Sequence, residues 1–369
     1  MKFLFVATVR SHIGQFHMPL IRALKAEGHT VHAAYRDNSA DKKGLDLSAI
    51  DRVFEVPFER SPYKPGNLLA YRKLKAILDK GDYDIIHCHT PMGAVITRLA
   101  AGRARKRGAK VFYTAHGFHF YRGASKLNWA LYYPVEKLLS GRTDTLITIN
   151  REDHELALSR HFAAGRIVRI DGVGVELDRF RAVTEAERAA ARAELGFSEG
   201  QTVLLYAADL SKRKNQPMLF RALARLKERC PDLLLLLPGQ PILQAEYEAQ
   251  CAELGISHMV RFLGYRRDID RLLAACDAVV SSRRQEGLPL NLIEAAARGR
   301  FIIATDVRGN ADVVRQSGSG VLVTLNDDAA MAAEIARLCA SAPEAPDRKR
   351  IECYDSRAIV KALFELYGI

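Results

Sequence analysis

Residues 281–299, SSRRQEGLPLNLIEAAARG, decide how this chain is read. Two glutamates, Glu286 and Glu294, bracket a Gly-Leu-Pro-Leu turn. Asp277–Val280 ahead of it is an apolar strand, and Leu292–Ala297 behind it is a run of good helix formers. Pro289 suits the first helical position, where its missing N–H would be unpaired anyway. The expected order is strand, glycine loop, helix N-terminus. Such a terminus presents free N–H groups and the positive end of a dipole. At the carboxyl end of a parallel strand, this is where an α/β sheet binds ligands.

A carboxylate beside exposed N–H groups can accept hydrogen bonds from hydroxyls while the N–H groups hold anionic oxygens. Glu294 lies far enough into the helix to reach a second hydroxyl pair. Two acceptors flanking an anion site suit a phosphorylated, hydroxyl-rich ligand such as a nucleotide sugar. Two surface glutamates on an amphipathic helix would give the same spacing, but would not require the turn or the strand before it.

The segment Glu286–Ala295, EGLPLNLIEA, resembles the E-x7-E motif of the family 4 retaining glycosyltransferases. The resemblance extends over nearly the whole chain and is closest to EpsD-like bacterial exopolysaccharide and capsule glycosyltransferases. It implies an α/β chain of GT-B type, with two facing, doubly wound Rossmann-like domains and an interdomain cleft. The expected divisions are an acceptor-binding domain at 1–171, a linker at 172–198, a nucleotide-sugar domain at 199–352, and a C-terminal helix at 353–369 that crosses back to the first domain. Alternating strands and helices fit two such halves.

Charge is divided unevenly. Residues 1–175 hold 28 Lys+Arg against 16 Asp+Glu, a net of +12, whereas residues 176–369 hold 27 of each. A basic half implies an acidic partner: a phosphate-bearing substrate, an anionic membrane face or nucleic acid. No nucleic-acid reading motif accompanies the charge, so nucleic acid is set aside. The six cysteines form no C-x-x-C and read as reduced thiols of a cytosolic protein. No apolar run approaches the ~20 residues that span a bilayer. The run Phe3–Val9 is too short for a signal peptide and reads as the first strand.

In the first half, Lys2–Thr8, Val31–Ala34, Val53–Val56, Asp84–Cys88, Val111–Thr114, Thr145–Asn150 and Ile167–Ile170 read as strands. A dinucleotide fingerprint would need G-x-G-x-x-G after the first strand; only Gly14 is present, which argues against a nicotinamide enzyme. The resemblance puts Gly14 in a loop that approaches the donor phosphate, though an ordinary βα turn would also use it. His87 and His89 share a strand face. H-x-H can ligate a metal, but without an evident third ligand the simpler reading is two polar strand-end residues. By resemblance His116 matches a cleft histidine that touches the donor sugar near its reacting end; a purely structural histidine is the competing reading. Residues 93–110 read as one basic helix carrying Arg98, Arg103, Arg105, Lys106 and Arg107, and residues 120–139 place Trp129 among other aromatics. These, with His12, His17 and His89, are candidates for contact with an acceptor or a membrane; Trp129 suits core packing equally well.

In the second half, Thr202–Ala207 leads into Ser211-Lys212-Arg213-Lys214, cations placed to meet a pyrophosphate. By resemblance Lys214 is the phosphate lysine. The family's usual Gly-Arg-Leu is Ala208-Asp209-Leu210 here, so Arg213 is the candidate to replace the lost guanidinium. A solvated charge run is the plainer alternative. Leu263 and Tyr265, after the strand Met259–Leu263, are candidates for the base pocket by resemblance. The remaining donor-binding candidates are Glu286, Gly287, Leu288, Pro289, Leu290, Asn291 and Glu294, with Glu286 and His116 also the catalytic candidates. Asp268-Ile269-Asp270 and Asp82-Tyr83-Asp84 read as helix-start and strand-start charges, so no metal ligand and no cofactor is expected.

The implied reaction is metal-independent, retaining transfer of a hexosyl or N-acetylhexosaminyl group. The donor would be a UDP-sugar such as UDP-GlcNAc, and the acceptor a polyprenyl-diphosphate-linked saccharide at the inner face of the cell membrane. A nucleotide-sugar 2-epimerase of the same architecture is the alternative; a non-catalytic membrane- or polyanion-binding protein is a second.

Overall fold

The apolar runs become the strands of two parallel sheets in the computed structural model, which describes all residues except 41–43, 199 and 342–346. The chain divides into two units: Met1–Gly174 together with Ser356–Ile369, and Val175–Asp355.

The first unit contains β1 (Lys2–Val9), α1 (Arg10–Phe16), α2 (Met18–Ala26), β2 (Thr30–Arg36), β3 (Arg52–Glu55), α3 (Gly66–Lys80), β4 (Ile85–His89), α4 (Pro91–Ala100), α5 (Gly102–Lys106), β5 (Lys110–Ala115), α6 (Lys126–Ser140), β6 (Thr145–Thr148), α7 (Arg151–Ser159) and β7 (Arg166–Arg169). Its seven strands run in the order β3-β2-β1-β4-β5-β6-β7. Strand order reverses direction between β1 and β4, so the carboxyl ends of those two strands form a switch point. Both faces of the sheet are covered. Leu4, Val6, Ile86, Cys88, Val111 and Tyr113 join one buried cluster. Alternate residues Phe3, Phe5, His87 and Phe112 face the other side, as the two-residue period of a strand requires.

The second unit contains α8 (Glu185–Glu194), β8 (Thr202–Leu205), α9 (Gln216–Ala224), β9 (Leu233–Pro238), α10 (Gln244–Glu253), β10 (Val260–Gly264), α11 (Ile269–Ala275), β11 (Ala278–Ser281), α12 (Leu290–Ala297), β12 (Phe301–Thr305), α13 (Asn310–Ser317), β13 (Gly320–Val323) and α14 (Asp328–Ala340). Its order, β10-β9-β8-β11-β12-β13, puts a switch point between β8 and β11. The five leucines of β9 alternate: Leu235 and Leu237 enter one core cluster, Leu234 and Leu236 the other. Within residues 172–198, α8 is opened by a Thr184–Glu187 capping box, and Ala191 packs on Ala274 and Ala275. The chain ends in α15 (Ser356–Tyr367), whose Tyr367 ring lies 5.3 Å from Phe3 and 5.0 Å from Phe112 in the first unit.

Three local expectations need correction. Gly14 is not in a loop: α1 begins directly after β1, and Gly14 lies inside it. A Cβ there would sit 3.0 Å from Leu45, so the missing side chain makes room for a leucine. The basic helix expected over 93–110 is two helices, broken at Ala101. Pro289 is the residue before α12, with extended backbone, and Leu290 is the first helical position.

Candidate active site

At the second unit's switch point, the loops after β8 and β11 are tied together by hydrogen bonds. Asn215, in left-handed conformation ahead of α9, donates from Nδ2 to the Ser282 carbonyl at 3.0 Å. The Ser282 hydroxyl donates to the carbonyls of Lys214 at 3.1 Å and Asn215 at 2.9 Å, and Tyr206 Oη donates to the Lys214 carbonyl at 2.8 Å. This frame aims Lys214 at the E-x7-E turn.

There Glu286 gathers three cations. Its Oε2 accepts from Lys214 Nζ at 2.8 Å and from Arg283 Nη1 at 2.9 Å, and its Oε1 lies 3.5 Å from Arg213 Nη1. Lys214 and Arg283 are buried, whereas the Arg213 side chain is 48% exposed. Burial alone would raise the Glu286 pKa, but Arg283, Lys214 and Arg213 outweigh it and hold the carboxyl at about 2. Burial and the neighbouring Arg283 charge bring the Lys214 ammonium down to about 8, against the opposing pull of Glu286. Arg283 also donates to Asn291 Oδ1 at 2.7 Å, which links the loop to the first turn of α12. Gly287 is approached closely from behind: Gly309 has φ +78°, and a Cβ on it would lie 2.5 Å from the Gly287 carbonyl oxygen. Leu288 and Leu290 pack against the core, so what Gly287–Leu290 can offer a ligand is backbone.

Glu294 lies away from these cations. Burial raises its carboxyl to about 7, with Arg179 opposing and Asp270 adding to the rise. The folded state therefore holds a proton between the ordinary carboxylate range and pH 7 that the unfolded chain has lost. Stability falls as pH rises through that window. Glu294→Gln is expected to raise the ligand-free Tm at pH 8 and to leave it unchanged at pH 4; each kcal/mol gained moves Tm roughly 2–4 °C in a unit of this size. Equal shifts at both pH values in thermal unfolding would refute it. Leu263 is half-buried at the end of edge strand β10, and Tyr265 just beyond is exposed.

In the first unit, His12, His17, His89 and His116 converge beside the carboxyl ends of β1, β4 and β5. His116 Nε2 lies 3.2 Å from both His12 Nε2 and His89 Nδ1, and the His17 ring stacks on His89 at 3.8 Å. Burial lowers the pKa of all four, with mutual repulsion adding for His12, His17 and His89; His116 comes down to about 4. They are neutral imidazoles near pH 7. His87 is not among them: it meets Thr114 Oγ1 at 2.8 Å and Tyr367 Oη at 2.5 Å. The H-x-H pair is thus divided: His87 turns to Thr114 and Tyr367, while His89 gains histidine neighbours from α1, the α1–α2 junction and the loop after β5.

The basic cluster is also partly corrected. Arg98 is buried, bonded to Glu136 at 2.9 Å with its guanidinium 4.2 Å from the Tyr113 ring centroid, so it cannot face a membrane. Arg105 pairs with Asp144 at 3.0 Å, and Arg107 donates to the carbonyls of Leu78 and Gly81. Arg103 and Lys106 are exposed. Trp129 is half-buried and donates to the Tyr121 carbonyl, so it is a packing residue. The two Asp-x-Asp triplets have local partners: Asp268 pairs with Arg266, and Asp84 accepts the Lys2 N–H.

Sequence reasoning missed Arg283, Asn215 and Ser282. Arg283 carried a readable signal, since it stands three residues before Glu286 in the same turn.

Residues 187–354 match the family Glycosyl transferases group 1, and residues 18–179 match Glycosyltransferase Family 4. EpsD of Bacillus subtilis (strain 168), which carries a glycosyltransferase name, is 43% identical over 91% of this chain and 87% of its own length. The UDP-Gal:alpha-D-GlcNAc-diphosphoundecaprenol alpha-1,3-galactosyltransferase of Escherichia coli is 28% identical over 69% of this chain and 66% of that protein. Among solved structures, Anabaena Alr3699/HepE in complex with UDP and glucose superposes with a TM-score of 0.78 at 22% identity, covering 100% of this chain and 99% of that one. That likeness gives the fold: two Rossmann-like α/β domains of GT-B type.

Proposed function

We propose that this chain, which belongs to the glycosyltransferases of group 1 and family 4, moves a hexosyl or N-acetylhexosaminyl group from a UDP-sugar to a polyprenyl-diphosphate-linked saccharide, with retained configuration. The observation that carries the reading is the half-buried Glu286 ringed by Lys214, Arg283 and Arg213 at a sheet switch point. A diphosphate needs such cations beside N–H donors, and a sugar hydroxyl needs the carboxylate. The UDP in the HepE structure and the diphosphoundecaprenol acceptor in the E. coli relative's name support the donor and acceptor classes.

In this reading, the bond from the sugar's anomeric carbon to the diphosphate breaks while the acceptor oxygen bonds on the same face. The acceptor proton passes to the departing phosphate oxygen. Glu286, ionised down to about pH 2, is too weak a base for that proton and serves as a hydrogen-bond acceptor. Lys214 and Arg283 stabilise the leaving diphosphate from a preorganised, buried position. His116, turned into the histidine cluster, would act on the donor sugar only from its half-exposed edge.

Lys214→Ala is expected to weaken UDP binding by about 10- to 150-fold, the loss of a charged hydrogen bond of ~1.5–3 kcal/mol. Unchanged UDP affinity by calorimetry would place the diphosphate elsewhere. UDP affinity is also expected to be the same in excess EDTA as in Mg²⁺, because protein cations neutralise the diphosphate; strict Mg²⁺ dependence would overturn that. Incubation with UDP-sugar alone separates the epimerase reading, since an epimerase needs no acceptor.

A further inference from the structure

We propose that the first unit holds one transition-metal ion on His12, His17, His89 and His116. The four side chains come from α1, the α1–α2 junction, the end of β4 and the loop after β5, and one nitrogen of each lies within 4.8 Å of the others. Two of the spacings are already those of a coordination shell. His116 Nε2 is 3.2 Å from His12 Nε2 and 3.2 Å from His89 Nδ1. A tetrahedron with metal–nitrogen bonds of about 2.0–2.1 Å has edges of about 3.3–3.4 Å. Closing the remaining spacings takes side-chain rotations.

Hydrogen bonding among the imidazoles does not account for the cluster. An imidazole nitrogen carries either one proton or one lone pair. His116 Nε2 can therefore complete a full bond to one of its two neighbours, not both. His17 Nε2 is buried with no hydrogen-bond partner. A natural protein rarely leaves such atoms unmatched, and an ion in the middle gives the converging lone pairs a common partner. The framework is rigid: β4 and β5 are adjacent, with His89 in register with Thr114, and His87 buttresses the His89 ring at 4.2 Å.

The donor set selects the ion. Imidazoles without thiolate or carboxylate suit zinc, cobalt, nickel or copper, not magnesium or calcium. With no carboxylate among the four, a dication keeps its charge.

The test is cobalt and zinc titration of the chelator-treated, full-length protein. One equivalent of Co²⁺ should produce the intense visible bands of a tetrahedral site, Zn²⁺ should displace them, and Zn²⁺ should raise the Tm. His12→Gln and His17→Gln should abolish the bands, while His161→Gln and His258→Gln, at exposed histidines, should keep them. If either cluster variant fails to fold, the wild-type spectrum and stoichiometry decide. Weak octahedral bands, binding beyond one equivalent without displacement, or bands that persist in folded His12→Gln would overturn the site.

Discussion

Glu286→Ala is expected to lower kcat/KM roughly 10- to 150-fold, the loss of a hydrogen bond from a charged group of about 1.5–3 kcal/mol, while UDP affinity stays level or rises. The two effects have opposite signs because Glu286 has two partners in the proposed mechanism. It accepts from a donor-sugar hydroxyl, and it neutralises Lys214, Arg283 and Arg213 when no diphosphate is present. Removing it frees those cations for the diphosphate. It also leaves Lys214 and Arg283 buried without a counter-charge, and breaking a buried pair can cost about 3–5 kcal/mol of stability. The Lys214 pKa should then fall below its present value of about 8, since the attraction that opposed burial is gone. Glu286→Gln, which keeps an acceptor oxygen without the charge, should fold more securely and lose activity by a similar factor. Steady-state kinetics, UDP titration and circular dichroism on both variants make the check. Wild-type kcat/KM in either folded variant would remove Glu286 from the site.

Much of this arrangement was legible in the sequence, for identifiable reasons. Strands such as β9 and β12 are unbroken apolar runs, and burial on both faces of a parallel sheet demands that composition. The strand-turn-helix around Glu286 follows from local chemistry in one stretch. What stayed hidden depends on contacts between distant segments. His12 and His116 are 104 residues apart, and no spacing rule joins them. Arg98 looked like one cation in a basic run, but its burial depends on Glu136, which lies on a different helix. Gly14 resembled a loop glycine because only the tertiary structure shows Leu45 against it.

The basic unit is expected to bind anionic membranes through α6, and introducing aspartate at Leu131 and Leu138 should remove at least about 90% of that binding. The notable feature is the outward face of the helix. Leu127, Ala130, Leu131, Pro134, Val135 and Leu138 are exposed and recur at the three- and four-residue spacing of one helical stripe. Its inward face carries Trp129, Tyr133, Glu136 and Leu139. Leu127 is 65% and Leu138 77% exposed. On the neighbouring α3–α4 surface, Tyr63, Leu68 and Leu99 line a groove with Arg142. No helix among the described residues is long and apolar enough to cross a membrane. A stripe of this kind can instead lie in the interface, where each leucine buried contributes about 1.5–3 kcal/mol. Exposed cations such as Arg103, Lys106, Arg122 and Arg142 add ~1 kcal/mol each near anionic lipid. In the proposed reaction, such binding would bring the first unit to the surface where a polyprenyl-linked saccharide resides. Both leucines point to solvent, so the aspartates should leave the fold intact. The measurement is co-sedimentation with vesicles of graded anionic lipid content, at low and high salt, with size-exclusion chromatography of the same samples. Binding should rise with anionic lipid and fall, without vanishing, at high salt, because the apolar part is not screened. Wild-type protein that stays in the supernatant with highly anionic vesicles at low salt, or that buries the stripe in a lipid-independent dimer, would show that α6 is not a membrane contact.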